Sequence, residues 1–394
     1  MDRSNYSNSD CNSLHDHANK NMKQNSNSNM SCKVISKLLL PQDLMIYIFT
    51  LVPLNCLINS ATYVCKSWAA TIRSTHFAEA CERQGRSKPG LYVENCKSKS
   101  SSYLLEFKDD VNDQFERSDL GTPQEMGYVI STCDGILVLW TYKQIFVVNP
   151  VIKCWLRIPP FPSSQQYIAP SCGLAITRVP RTAKFKLFHV TVLRVSGVIW
   201  YVCYVLTIGI DNSWKEIFRK EATSNMYIWL RLLYSGGNDL YWITETEVIV
   251  MDVDREIILR EYPLHLFSTV SRYSLMGDRI SCIVYKDISY EIYVLDFDSG
   301  KWFLYHEMGP FDYASACGHE LDIRSAMFCL WINDQIIFRV SLHPIDYILA
   351  NFETIHFGYN VKTKQLTKIE GIEVGNFQVW LHTNSLFSFP STST

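Results

Sequence analysis

The chain has 394 residues, more than one small domain usually holds, with 47% hydrophobic residues, 19% charged residues and a formal net charge of −2. So small a charge gives no global attraction for a polyanion, which argues against nucleic acid as the main partner. No apolar run reaches the ~20 residues of a bilayer span and the start lacks the apolar core of a secretory leader, so a nuclear or cytosolic protein without a membrane partner is expected.

Residues 1–31 hold 15 Ser and Asn, with apolar residues scattered singly. Such a segment cannot bury enough surface to offset its ordering entropy, so 1–35 is predicted to be a disordered tail. His15 and His17 within it read as solvated side chains rather than metal ligands. The composition changes at Val34. From Leu38 to Ile72, Leu, Ile and Val recur at helical spacing, with Leu44, Ile48 and Leu51 on one stripe. The spacing predicts a helix opening just after Pro41, where the missing N–H costs nothing, and ended by Pro53. A second short helix fits 56–63, and a third fits 64–73 with Trp68 on its apolar side. Three such helices make a thin bundle in which several apolar residues lack an internal partner, so a partner protein is expected to cover them.

After Pro89 the pattern becomes short apolar runs of period 2: 128–130, 136–140, 145–148, 185–190, 200–206, 240–243, 247–250, 280–284, 292–295, 335–340 and 354–359. Turn signals separate them, which is the mark of an all-β region. One unit recurs: a strand ending in Asn or Asp, a polar turn, then a bulky residue opening the next strand. Its markers are Asn149, Asp211, Asp252, Asp296 and Asn360, spaced by 62, 41, 44 and 64 residues. Spacings near 40 fit one four-stranded blade per repeat, the wider ones a long loop or degenerate blade. A second unit alternates with it, a tight polar turn entering an apolar strand, at 133–140, 237–243, 277–284 and 333–340. Blades closed into a ring leave only short protected edges, so a β-propeller is expected over an irregular sandwich.

Signs of catalysis are few. The chain has no Gly-x-Gly-x-x-Gly, Walker-type, Gly-x-Ser-x-Gly or His-Glu-x-x-His motif, so no catalytic, cofactor-binding or metal-binding residue is named and a non-enzyme is expected. The 13 Cys contain no Cys-x-x-Cys pair and read as free thiols in a reducing compartment. Asp109, Asp110 and Asp113 read as a solvated loop. Asp252, Asp254, Asp296 and Asp298 read as turn residues that bond their own backbone. Arg178 and Arg181 flank Pro180 as a small basic patch on a loop.

The stretch LLLPQDLMIYIFTLVPLNCLINSATYVCKSWAATI (38–72) resembles the F-box. Leu40, Pro41, Asp43, Leu44, Ile48, Phe49, Leu51, Pro53, Leu57, Val64, Cys65, Lys66 and Trp68 match its pattern, while Ile58-Asn59 stands where Leu-Arg is common. HFAEACERQGRSKPGLYV (76–93) and CDGILVLW…VVNPVIKCWLRIPP (133–160) are similar to the linker and opening of the F-box-associated, kelch-like domain of plant F-box proteins. The resemblance implies an α+β multidomain chain: an F-box of three helices at 36–75, a linker at 76–95, a mainly-β propeller at 96–385 and a second disordered tail at 386–394. It implies a non-catalytic, substrate-recognition adaptor of an SCF-type ubiquitin ligase, bound through a Skp1-type adaptor to cullin-1, with the propeller holding a target for ubiquitination. Docking residues would be Leu40, Pro41, Asp43, Leu44, Ile48, Leu51, Pro53, Leu57, Val64, Cys65 and Trp68. For Val64 and Trp68, bundle core and interface both stay open. Target-binding residues are expected in the longer loops at 160–182 and 308–325, with Phe161, Tyr167, Phe311 and Tyr313 as exposed anchors. The alternatives are a propeller-based ligand receptor or enzyme with the F-box as tether, and a scaffold that degrades nothing.

Overall fold

The structure, a computed structural model, describes residues 40–85, 89–95, 102–107, 115–118, 126–141, 144–162, 173–182, 184–222, 231–264, 270–286, 289–318, 323–342 and 354–389. The 1–35 tail and Asp109, Asp110, Asp113 and Tyr167 lie outside these residues. The chain divides into two compact units, residues 1–45 and 46–394. In the first, Leu40 and Pro41 lead into the opening of helix α1, Gln42–Leu51, where Met45 N–H donates to Pro41 O at 3.0 Å. Proline fits there because its ring fixes φ while its carbonyl still accepts the first helical bond.

The second unit opens with short helices. The remainder of α1 is followed by α2 (Leu54–Asn59), a 3₁₀ turn at Ala61–Tyr63, α3 (Lys66–Ile72) and α4 (Thr75–Arg83). Their ends are set by local chemistry. Pro53 stands at the N-cap of α2; the Cys65 sulfur accepts from Trp68 N–H at the start of α3, and Ser74 Oγ accepts from Phe77 N–H at the start of α4. The sequence's second helix is thus a helix plus a 3₁₀ turn, and α4 lies in the stretch read as linker.

The rest is a six-bladed β-propeller. Six antiparallel sheets of four strands follow one another. Blade 2 holds β4 (Tyr128–Cys133), β5 (Ile136–Trp140), β6 (Ile145–Asn149) and β7 (Cys154–Ile158). Blade 3 holds β8 (Leu174–Arg178), β9 (Phe185–Val195), β10 (Val198–Thr207) and β11 (Lys215–Glu221). Blade 4 holds β12 (Arg231–Tyr234), β13 (Asp239–Ile243), β14 (Glu247–Asp252) and β15 (Ile257–Pro263). Blade 5 holds β16 (Val270–Met276), β17 (Arg279–Lys286), β18 (Ser289–Asp296) and β19 (Lys301–Met308). Blade 6 holds β20 (Ile323–Ile332), β21 (Gln335–Leu342), β22 (Thr354–Asn360) and β23 (Gln365–Lys368). Blade 1 joins the two ends of the domain: β24 (Phe377–Thr383) pairs with β1 (Pro89–Asn95), followed by β2 (Tyr103–Phe107) and β3 (Phe115–Ser118). The inner strands β4, β8, β12, β16, β20 and β24 touch in sequence, and β24 returns to β4, so the ring closes.

The repeated Asn/Asp markers all fall at the turn from third to fourth strand. Each side chain caps its own turn: Asp252 Oδ1 accepts from Arg255 N–H at 2.7 Å, Asn149 Oδ1 from Val151 N–H at 3.0 Å and Asn360 Oδ1 from Lys362 N–H at 2.9 Å. Four residues on, Lys153, Glu256, Gly300 and Lys364 take positive φ, and the last three donate N–H to the marker's carbonyl at 2.8–2.9 Å. Asx chemistry favours such turns, so the repeat has a local cause. The second repeat unit is the inner hairpin between first and second strands. In blade 2 Asp134-Gly135, both at positive φ, form it in the manner of a type I′ turn. A Cβ on Gly135 would collide with Thr383 O and Ser385, which packs the end of blade 1 onto blade 2.

Burial explains why period 2 holds only in part. In β5, Ile136 to Leu139 are all fully buried, because each blade is covered on both faces by its neighbours. Outer strands such as β15 and β19 stay largely exposed. The core lies between blades: Phe188, Tyr201 and Trp242 pack between blades 3 and 4, and Phe328, Phe338 and Phe357 lie in the cluster shared by blades 5 and 6. Two boundaries differ from the sequence reading. The ring starts at Pro89 rather than 96, since β1 pairs with β24. Leu386 and Phe387, expected in a tail, are buried, with Phe387 edge-on to Phe185 at 5.6 Å.

Candidate functional site: an uncovered apolar face

In the first unit Leu40, Pro41, Asp43 and Leu44 are all exposed. In the second, the helices sort their apolar residues into two sets. Ile46, Phe49, Leu57, Ala61, Ile72, Phe77 and Cys81 are buried, with Phe49 edge-on to Trp68 at 4.9 Å and to Phe77 at 6.2 Å. Tyr47, Ile48, Leu51, Tyr63 and Val64 face solvent, at 56%, 39%, 60%, 81% and 61% exposure. Five large apolar side chains in so short a stretch form a surface that a solvated protein rarely leaves bare. The arrangement can bind an apolar partner surface.

Of the residues expected to dock a partner, Pro53 and Cys65 are exposed as well, while Leu57 is fully buried and Trp68 half-buried against Phe49. Leu57 is therefore a core residue: the break after Pro53 turns it inward, which stripe counting along a straight helix misses. Trp68 falls on the core side of its open choice and Val64 on the exposed side. Tyr47 and Tyr63 were missed. The signal for Tyr47 was its place three residues after Leu44 and four before Leu51.

The helices are held against the rim of the ring that carries the inner hairpins. Arg178, at the end of β8, donates from Nη1 to Glu82 Oε1 of α4 at 2.7 Å and reaches Asp134 at 3.4 Å, with its guanidinium 4.3 Å from the centre of the Phe387 ring. Burial opposes its charge, but Glu82 and Asp134 outweigh that and raise its pKa. Burial likewise raises the Asp134 carboxyl, against the pull of Arg178. Ser388 Oγ donates to Arg73 O at 2.9 Å, and Asn149 Nδ2 donates to Ser385 O and Phe387 O, each at 2.9 Å. The segment after β24 thus runs between helices and blades. The basic patch expected of Arg178 and Arg181 resolves into this joint and an exposed Arg181.

On the opposite rim, where fourth strands cross to the next blade, the expected target anchors are packed rather than exposed. Phe161 stacks on His189 at 3.9 Å, and Phe311 stacks on Phe338 at 5.3 Å and Tyr290 at 6.1 Å. Tyr313, on the short helix α5 (Tyr313–Cys317), lies edge-on to Phe357 at 5.2 Å. Large rings at a blade junction gain more from that burial than from facing water. On the helix-bearing rim, a shallow groove of about 370 Å³ is lined by Pro180, Arg181, Asn238, Asp239, Asp252, Asp254, Arg255 and Leu259. Burial and then the charge of Asp252 raise the Asp239 carboxyl; Asp252 stays low, since its turn hydrogen bonds outweigh its burial. Among the described residues no three His, Cys, Asp or Glu side chains are grouped to hold a metal ion.

The fold and site define a six-bladed β-propeller protein with an exposed apolar helical face. No family model and no curated protein matches the chain. Among solved structures it is similar to TolB from Acinetobacter baumannii, at 11% identity over 77% of this chain and 71% of that one, TM-score 0.42. It is similar also to an oligogalacturonate lyase from Vibrio parahaemolyticus, at 10% identity over 72% and 78%, TM-score 0.39. A third similar structure is the WD40 domain of SCAP from fission yeast, at 10% identity over 76% and 96%, TM-score 0.31. Likeness this low leaves the fold to be read from the chain's own strand order.

Proposed function

We propose that the chain is the substrate-recognition subunit of an SCF-type ubiquitin ligase, working in the nucleus or cytoplasm. The observation that carries this reading is the uncovered apolar set Ile48, Leu51 and Val64 at the spacing of an F-box. A Skp1-type adaptor would cover it and link the chain to cullin-1, while the propeller holds a target protein. The joint at Arg178 favours this division of labour: it ties the helices to one rim, which on this reading leaves the opposite rim to face a target. The subunit itself would be non-catalytic, since it positions a target for another protein's chemistry.

The test is direct binding of the purified chain to a plant Skp1-like protein by calorimetry. Ile48→Asp/Leu51→Asp/Val64→Asp is expected to weaken binding by at least about a hundredfold, because charges then enter the desolvated centre of the interface. Thermal unfolding of the variant is expected to match the parent. No binding by the folded parent chain overturns the reading.

A further inference from the structure

A guanidinium nitrogen buried without a partner is a costly arrangement, and among the described residues Arg272 carries such a nitrogen. It stands near the start of inner strand β16, and its Nε is buried with no hydrogen-bond partner. Burial pulls its pKa down; the Cys329 sulfur opposes that, and the charge of Arg339 adds to it. Among the described residues no carboxylate shifts it.

The surroundings of Arg272 are built from three consecutive blades. Cys329 lies on β20, and burial raises its thiol against the combined pull of Arg272, Arg339 and Arg231. Arg231 opens β12, Arg272 belongs to β16 and Arg339 to β21, while β16 touches both β12 and β20. Arg339 Nη1 donates to Phe377 O at 3.2 Å, at the first residue of β24, and its Nη2 donates to the Met327 thioether at 3.2 Å, a weak acceptor. The strand register slips between Val270 and Arg272 and between Phe328 and Leu330, which puts bulges beside Arg272 and at Cys329. Bulges re-aim side chains and gather beside binding sites. Arg231, Arg272, Cys329 and Arg339 are all partly open to solvent. Since β12, β16 and β24 begin here, the cluster sits toward the rim opposite the helices.

We propose that this cluster where blades 5 and 6 meet is an oxyanion-binding site, in which Arg272 and Arg339 together clamp a phosphate or carboxylate group. Arginine is well fitted to such a clamp, because its planar fork matches two oxygens of either group at once and its charge survives partial burial better than that of lysine. The bound anion would supply the negative charge that Arg272 lacks. The assignment uses propeller residues alone and stands or falls independently of adaptor docking.

Calorimetry and thermal unfolding of the full chain at low salt, with pyrophosphate in one arm and a capped tetraglutamate peptide in the other, test it. Saturable binding of at least one probe is expected, with a raised Tm and an affinity that falls as salt is added. Pyrophosphate alone would assign a free phosphoanion, and the peptide alone an acidic side chain of a partner protein. Arg272→Met is expected to weaken binding about tenfold or more while the unliganded Tm stays equal or rises. Should Arg272→Met fail to fold, Arg339→Lys, which keeps the charge and loses the fork, is expected to weaken binding several-fold. Arg194→Met, on an exposed position of β9, is expected to change nothing. Binding of neither probe, or binding that Arg272→Met and Arg339→Lys both leave intact, overturns the proposal.

Discussion

The helical segment and the propeller solve the problem of apolar surface in opposite ways. The ring is complete: each blade is covered by its neighbours, and Trp242, Phe338 and Leu137 have no exposure left. The helices are incomplete, since Phe49, Leu57 and Phe77 fill a small core while Ile48, Leu51, Tyr63 and Val64 remain outside it. Closure makes the first self-sufficient; the lack of it leaves the second with large apolar side chains in water.

The sharpest way to break this contrast is to open the ring. Ending the chain at Asn376 removes β24, the inner strand of blade 1, and is expected to abolish cooperative unfolding, read by near-ultraviolet circular dichroism. A cavity is the next largest insult. Trp242→Ala is expected to cost about 3–5 kcal/mol in urea unfolding, because the ring lies wholly between blades 3 and 4. Leu57→Ala is expected to cost about 2–5 kcal/mol and would show that the helices share the cooperative unit. If it costs nothing, the helices unfold separately.

Acid is expected to act on the ring through buried histidines. Burial holds His382 and His189 at about 4 and His356 at about 3, each well under the ordinary value of 6.5. The unfolded chain therefore takes up protons below about pH 6.5 that the folded chain refuses. Stability is full above that pH and falls as the medium is taken toward pH 4, and for His356 toward pH 3. The urea midpoint followed from pH 7 to pH 4.5 checks this, and His382→Phe is expected to flatten the slope by up to one proton. The smallest effect sharpens the contrast from the other side. Leu51→Ser is expected to shift stability by no more than about 0.5 kcal/mol, since the side chain is already in water; a larger loss would mean that the chain covers this face itself.

What the sequence could tell follows from how local each cause is. The Asx turns were legible because Asp252 or Asn360 bonds backbone two or three residues away, leaving its mark in the same short window. Helix starts at Pro41 and ends near Pro53 were legible for the same reason. Blade 1 was not, because Pro89 pairs with Thr383 and no local signal announces a partner so distant. That pairing also misplaced the linker. The arginine cluster was invisible on the same ground, as Arg231, Arg272 and Arg339 are separated by whole blades. Phe161 and Phe311 misled because a bulky ring in a loop reads as exposed until its blade neighbour is known.

Blade 1 has a further consequence for the life of the chain on the ribosome. Its inner strand follows the other five blades in chain order, so the ring stays open until β24 has been made, while residues 40–85 emerge before any blade. A message cut short between residue 85 and β24 yields the helices without a finished propeller. On the adaptor reading such a fragment would occupy Skp1-type partners and present them with nothing, so that late truncations would poison the complex rather than merely deplete it.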